Sequence, residues 1–189
     1  MPKIENMIET MRAREIPDEI ISLIPMPRIK KPTPQEIVAF IEGMDKYLSK
    51  EECIAIMDEQ GCSKSNKYSA VFRKFGELHK GKTIEERIAL LGELESGHKV
   101  NECRKNDDGT ITLKFGVGDS KGDWDCPCSP IKKLKPYNFP LTYCGCCGAH
   151  VRYTHEFALR VKLRLKEIVS SMANSDGEKP CEFVYEIVG

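Results

Sequence analysis

The stretch TITLKFGV, residues 110–117, sets apolar Ile111, Leu113, Phe115 and Val117 against Thr110, Thr112 and Lys114. A period of two places the apolar set on one face, so the spacing predicts a half-buried strand. NDDG at 106–109 supplies turn residues, and residues 100–104 before it complete a predicted hairpin. Downstream, VKLRLKEIV (161–169) and CEFVYEIV (181–188) carry the same signal and are separated by the loop ANSDGEKP, 173–180. Between the hairpin and these strands, AHVRYTHEFALR (149–160) reads as a helix beginning at about Gly148. Residues 118–143 show no periodicity and are expected to form a long loop.

Upstream the period changes to that of a helix. Thr33, Pro34 and Glu36 form a capping box with proline at the first helical position, so a helix is expected from about 34 to 48. Ser49 with Glu52 repeats the signal for a helix ending near Gly61. Thr83 with Glu86 opens another, with Ile84, Ile88, Leu91 and Leu94 on one face and a stop near Gly97. Nearer the N-terminus, Ile4, Met7, Ile8 and Met11 have helical spacing, and a second apolar group surrounds Ile20, Ile21 and Leu23. The prolines of PMPRIKKPTP, 25–34, make an extended connector that lies against the body or against a neighbouring subunit, which leaves a homodimer open. Helices followed by an antiparallel sheet give an α+β fold. Its parts are an arm and connector (1–33), a helical region (34–97) and a Cys-rich α+β region (98–189). Residues 34–189 are expected to be one domain.

Lysine plus arginine and aspartate plus glutamate each number 29, for a net charge of zero. No basic field attracts a polyanion, so nucleic acid is not the expected partner. No stretch approaches the roughly 20 apolar residues of a membrane span, and the N-terminus has no uninterrupted apolar segment. The expectation is a cytoplasmic protein with no membrane partner.

Nine cysteines, an odd number without an export signal, are expected to be reduced. Five of them, Cys126, Cys128, Cys144, Cys146 and Cys147, crowd into residues 126–147. Cys144 and Cys147 have the Cys-x-x-Cys spacing that aims two thiolates at one ion, with Gly145 and Gly148 expected to ease the turn through positive φ. Cys147 at a helix N-terminus would gain thiolate character. Cys126 and Cys128 share a face of an extended segment and complete a spacing like that of a four-thiolate zinc site. Iron or an iron–sulfur cluster would use the same thiols. Cys146 is expected to face elsewhere, since a bridge to Cys147 would close a strained ring. Cys53, Cys62 and Cys103 read as packing residues.

His150 shares a helical face with Cys147 and is a candidate ligand or proton carrier, and His155 lies on another face; a surface or core-edge place is the plainer reading of either. Trp124 is either a pocket wall or a loop anchor. Arg152 and Arg160 either hold a ligand carboxylate or sit on a solvated face.

A cysteine cluster leading into a helix, then VKLRLKEIV, a G-x-x-x-C loop from Gly177 to Cys181 and CEFVYEI, resembles the end of the 4-vinyl-reductase-type small-molecule-binding domains. It also resembles the related amino-thiazoline carboxylic acid hydrolases. The first resemblance implies a zinc ion near the mouth of a ligand pocket, held by Cys147 and Cys181, with Cys144 at the position of an acidic ligand. That family's further cysteine before the final strand has no counterpart here, where 172–174 read MAN, and Cys126 or Cys128 is the candidate to replace it. A competing expectation is a hydrolase of a small cyclic or amide substrate, with Cys147 at the helix N-terminus as nucleophile and His150 as proton carrier, or with a three-ligand metal polarising a bound water. The leading expectation is a small-molecule-binding, sensor-like protein with a thiolate zinc site.

Overall fold

In a computed structural model of the chain, the residues described are 3–28, 30–61, 67–95, 101–118, 124–126, 128, 131 and 136–189. Helices α1 (Ile4–Ala13) and α2 (Asp18–Leu23) form the arm, and α3 (Pro34–Tyr47) and α4 (Lys50–Asp58) follow the proline connector. All three expected capping boxes are formed, that of Thr83 and Glu86 with bonds of 2.7 and 3.2 Å. Thr33 N donates to Glu36 Oε2 at 2.6 Å while Thr33 Oγ1 accepts from Glu36 N at 3.3 Å, and Ser49 and Glu52 repeat the exchange at 2.8 and 3.2 Å. These bonds satisfy amide donors that a helix start leaves open, and so fix where each helix begins. The arm is part of the core: Met7 and Met11 are fully buried.

Helix α5 (Lys67–Leu78) is an addition to the expected helices, and α6 (Ile84–Glu95) is the expected third capped helix. Tyr68, Val71, Phe72, Phe75 and Leu78 do recur at helical spacing, a signal the expectations omit, although Val71 and Leu78 are exposed. What seats α5 is a small residue. A Cβ on Gly76 would lie 2.0 Å from the carbonyl oxygen of Phe157, so glycine there lets two helix backbones approach.

The α+β architecture is borne out in the second half. Strands β1 (Asn101–Lys105), β2 (Ile111–Phe115), β5 (Leu163–Ser170) and β6 (Cys181–Ile187) form one antiparallel sheet in the order β1-β2-β6-β5. The loop before the last helix is not structureless: it holds the two-residue strands β3 (Val117–Gly118) and β4 (Trp124–Asp125) and a 3-10 turn at Leu141–Cys144. Ile111, Leu113, Leu163, Leu165, Phe183 and Tyr185 are buried, as their alternation requires. Cys181 falls in the same alternation as Phe183 and Tyr185, so β6 sets its thiol toward the helices.

Helix α7 (Gly145–Leu159) lies on this face, and it starts three residues earlier than the sequence suggests. The glycines near its start do not serve a left-handed turn. Gly145 has φ −57, and a Cβ there would meet Met57 Cβ at 2.5 Å; one on Gly148 would meet Phe183 at 3.0 Å. They are contact glycines that let α7 sit close to α4 and to the sheet. Tyr185 Oη, fully buried, donates to Gly148 O at 2.8 Å and locks the register of helix on strand. No helix among the described residues is long and apolar enough to cross a membrane.

Candidate metal centre

The segment that carries Cys126 is held by backbone contacts. Trp124 N donates to Gly177 O at 2.8 Å, and a Cβ on Gly116 would come within 2.7 Å of the Trp124 ring. Trp124 is therefore an anchor of the loop over the sheet end. Gly177 has φ 88, a conformation that favours glycine, and a Cβ there would strike Trp124 O at 2.8 Å. Further along, Tyr137 N donates to Asp176 Oδ1 at 2.7 Å, Phe139 N to Ala173 O at 3.1 Å, and Asn174 Nδ2 to Phe139 O at 3.1 Å. The Cys-bearing loop is thus stapled to the β5–β6 connection.

These staples bring three chain segments to the start of α7. Cys144 holds the N-cap position of the helix, and Cys181 and Ser171 are the side chains that act on its thiol. Cys128 Sγ lies 3.3 Å from Tyr143 Oη, and Tyr143 is fully buried. Cys126, Cys144 and Cys181 are buried, whereas Cys128 and Cys147 are half-buried. Cys147 sits in the first turn of α7, one turn from Cys144.

The electrostatics of the site are those of like groups facing one another. Burial pushes the Cys126 thiol up to about 12, and Cys144, Cys147 and Cys128 push it in the same direction. Burial also raises Cys128, to about 11; the hydrogen bond from Tyr143 opposes this, and Cys147 and Cys144 add to it. Cys144 is held well above the usual thiol range, first by its hydrogen bond with Cys181 and then by burial. Burial and then the neighbouring Cys128 likewise keep Tyr143 protonated. Of the five thiols marked as metal candidates, Cys126 and Cys128 thus feel Cys144 and Cys147, and Cys181 acts on Cys144. Among the described residues, no three Cys, His, Asp or Glu side chains form a ready-made metal cage.

Ser171 and Tyr143 belong to this neighbourhood and escaped the sequence reading. Tyr143 is adjacent to Cys144 in sequence, but a tyrosine beside a cysteine carries no signal of its own. Ser171 is found only by the fold of the β5–β6 connection.

The other candidates take structural places. Arg152 is neither a ligand clamp nor part of a solvated face: Nε binds Asp58 Oδ1 at 2.8 Å, Nη1 binds Glu156 Oε1 at 3.1 Å, and Nη2 donates to Asp58 O at 3.2 Å. Arg160 pairs with Glu77. His155 is buried, not at the surface; its Nδ1 donates to Val151 O at 2.8 Å and its ring packs on Phe72. His150 is half-buried on α7. Cys53 is a core residue as expected, its thiol pushed up to about 12 by burial and by Asp45. Cys103 lies on β1, and Cys62 falls outside the described residues.

No family model matches the chain, and neither does any curated protein or solved structure. The site must be argued from its own chemistry. Thiols are soft donors suited to zinc, and here they come from residues far apart in sequence, which packing alone does not require.

Proposed function

We propose that the chain is a small-molecule-binding, sensor-like protein whose body is held together by a thiolate zinc site. The observation that supports this reading is that Cys126 and Cys128, from the stapled loop, are raised by Cys144 and Cys147 at the start of α7, and Cys144 in turn by Cys181 of β6. Thiols that raise one another's pKa are stable together as neutral groups, and a cation reverses the balance by making their ionisation favourable. Cys144, Cys147 and Cys181 would hold the ion, with Cys126 or Cys128 completing a four-sulfur shell. Such a shell has no open position, so zinc would stabilise the fold and fasten the loop to the helix.

The ligand part of the reading is supported by a concavity of about 480 Å³ beside the C-terminal end of α7, lined among others by Arg73, Phe157, Arg160 and Lys162. The Arg73 guanidinium stacks on Phe157 at 3.3 Å from the ring centroid and donates to Tyr153 Oη at 3.2 Å. Glu77 and Glu156 line it too and pair with Arg160 and Lys162, so its charges nearly balance, and the Arg73–Phe157 stack is what suits a small planar, polar organic ligand.

Metal analysis of protein purified with zinc in the medium tests the proposal, with about one zinc per chain expected. Chelation should then lower the melting temperature by about 10 °C or more, since zinc affinity is coupled to folding. Metal-free protein whose melting is insensitive to zinc would contradict it. A second reading, a cysteine hydrolase, draws on one observation: Cys147 is half-buried, not sealed in the core, in the first turn of a long helix. It predicts a single fast-reacting thiol in metal-free protein that Cys147→Ser removes. An iron or iron–sulfur centre would colour the protein; the zinc reading predicts a colourless one.

A further inference from the structure

The four-stranded sheet has two edges, β1 and β5, and they are finished differently. Strand β1 has five residues, three of them the charged Glu102, Arg104 and Lys105, and a short, charged edge is a poor template for a further strand. Strand β5 has eight residues, with Leu163, Leu165 and Ile168 buried. Its second half is broken by register shifts between Leu165 and Glu167 and between Ile168 and Ser170, which spoil a regular ladder. Its first half pairs with β6 residue by residue, and there side chains take the outward backbone groups. Leu163 N donates to Glu156 Oε1 at 2.9 Å, Leu165 N donates to Asp58 Oδ2 at 3.3 Å, and Leu163 O accepts from Arg152 Nη1 at 3.4 Å. Arg152 fixes both carboxylates, through Asp58 Oδ1 at 2.8 Å and Glu156 Oε1 at 3.1 Å. The three side chains thus offer β5 the donor and acceptors that a neighbouring strand would bring.

Stability alone does not call for this unit. The side chains of Arg152, Asp58 and Glu156 are only 23%, 13% and 11% exposed, so the cost of desolvating them offsets much of their attraction, and apolar residues of similar size would pack there as well. Apolar residues would, however, leave two amides and a carbonyl of an edge strand open. We propose that Asp58, Arg152 and Glu156 hold the edge of β5 closed against strand addition, and that the strand they exclude is β5 of a second copy of the chain. The exposed side of β5 carries Arg164, Lys166 and Glu167, so an antiparallel neighbour of the same sequence meets it with opposite charges within reach. This closure needs neither the metal nor the ligand.

The test uses the full chain and two single substitutions. Glu156→Ala frees the Leu163 amide and leaves Arg152 paired with Asp58, so no charge is stranded; Asp58→Ala does the same at Leu165 and leaves Arg152 with Glu156. Sedimentation velocity should show self-association about tenfold tighter in either variant than in the unaltered chain, the worth of a regained backbone hydrogen bond. Amide hydrogen exchange read by NMR should find the freed amide fast in dilute solution and slow in the associated form. A folded variant that associates no more tightly, or one that associates while its freed amide stays fast, would overturn the inference. So would fast exchange at Leu163 and Leu165 in the unaltered chain, a reading that needs no substitution.

Discussion

The first turn of α7 and its middle turns solve the problem of buried polar atoms in opposite ways. In the middle, Arg152 faces Asp58 and Glu156, Leu165 N donates to Asp58 Oδ2 at 3.3 Å, and Leu163 N donates to Glu156 Oε1 at 2.9 Å. Opposite charges and backbone donors complete that network from within the chain. At the first turn, thiols face thiols, and each makes the next harder to ionise. The difference separates a finished structural lock from a set of donors that only a cation would change. Functional chemistry is therefore sought at the first turn, although the middle carries more charge.

Breaking the lock should have the larger effect. Arg152→Met leaves the Asp58 and Glu156 carboxylates facing each other in a site where burial already raises the Asp58 pKa. A loss of about 3 kcal/mol is expected in urea denaturation, toward the lower end for a broken buried pair because Arg152 keeps some solvent contact. Substitution at the other end probes packing without touching a thiol. Gly145→Ala forces a Cβ against Met57 Cβ and should cost about 2 kcal/mol net of the better helix propensity of alanine, with a weaker zinc affinity because Cys144 and Cys147 move with the helix. If Gly145→Ala were neutral in both respects, the close seating of α7 would not be what positions the thiols.

A smaller effect, in pH, sharpens the same contrast. Cys53 and Cys126 are raised to about 12 and Cys128 to about 11, all above the ordinary thiol value of 9.0. A group raised in the folded state contributes stability that is whole below its unfolded pKa and is lost as pH climbs through the folded value. Metal-free protein should therefore hold its denaturation midpoint up to about pH 8.5 and lose stability from about pH 9 to 12. Zinc should blunt that loss by the share of Cys126 or Cys128, because a thiolate ligand has no proton left to lose, while the share of Cys53 persists. Equal slopes with and without zinc would place the metal elsewhere.

Much of this architecture was legible because single residues carry local physics. Thr33, Ser49 and Thr83 announce their helices through side chains that reach the amides three positions on, and Ile111, Leu113 and Phe115 announce a strand by period alone. Helix α5 was legible in the spacing of Tyr68, Val71, Phe72 and Phe75, although the expectations omit it; its seating was not, because it depends on Gly76 meeting Phe157, a contact between distant residues that leaves no periodic trace. Gly145 and Gly148 were misread for a related reason: a glycine in sequence does not say whether it serves a turn or a close approach. The cysteine spacing singled out Cys126, Cys128, Cys144 and Cys147, but the influence of Cys181 on Cys144 depends on the fold and leaves no trace in spacing.

The most direct test of the central claim, that thiols from three segments meet around one ion, is X-ray absorption at the zinc edge of the purified protein. The account predicts a first shell of about four sulfurs at about 2.3 Å. A shell of nitrogen and oxygen at about 2.0–2.1 Å, or no bound zinc at all, would contradict it.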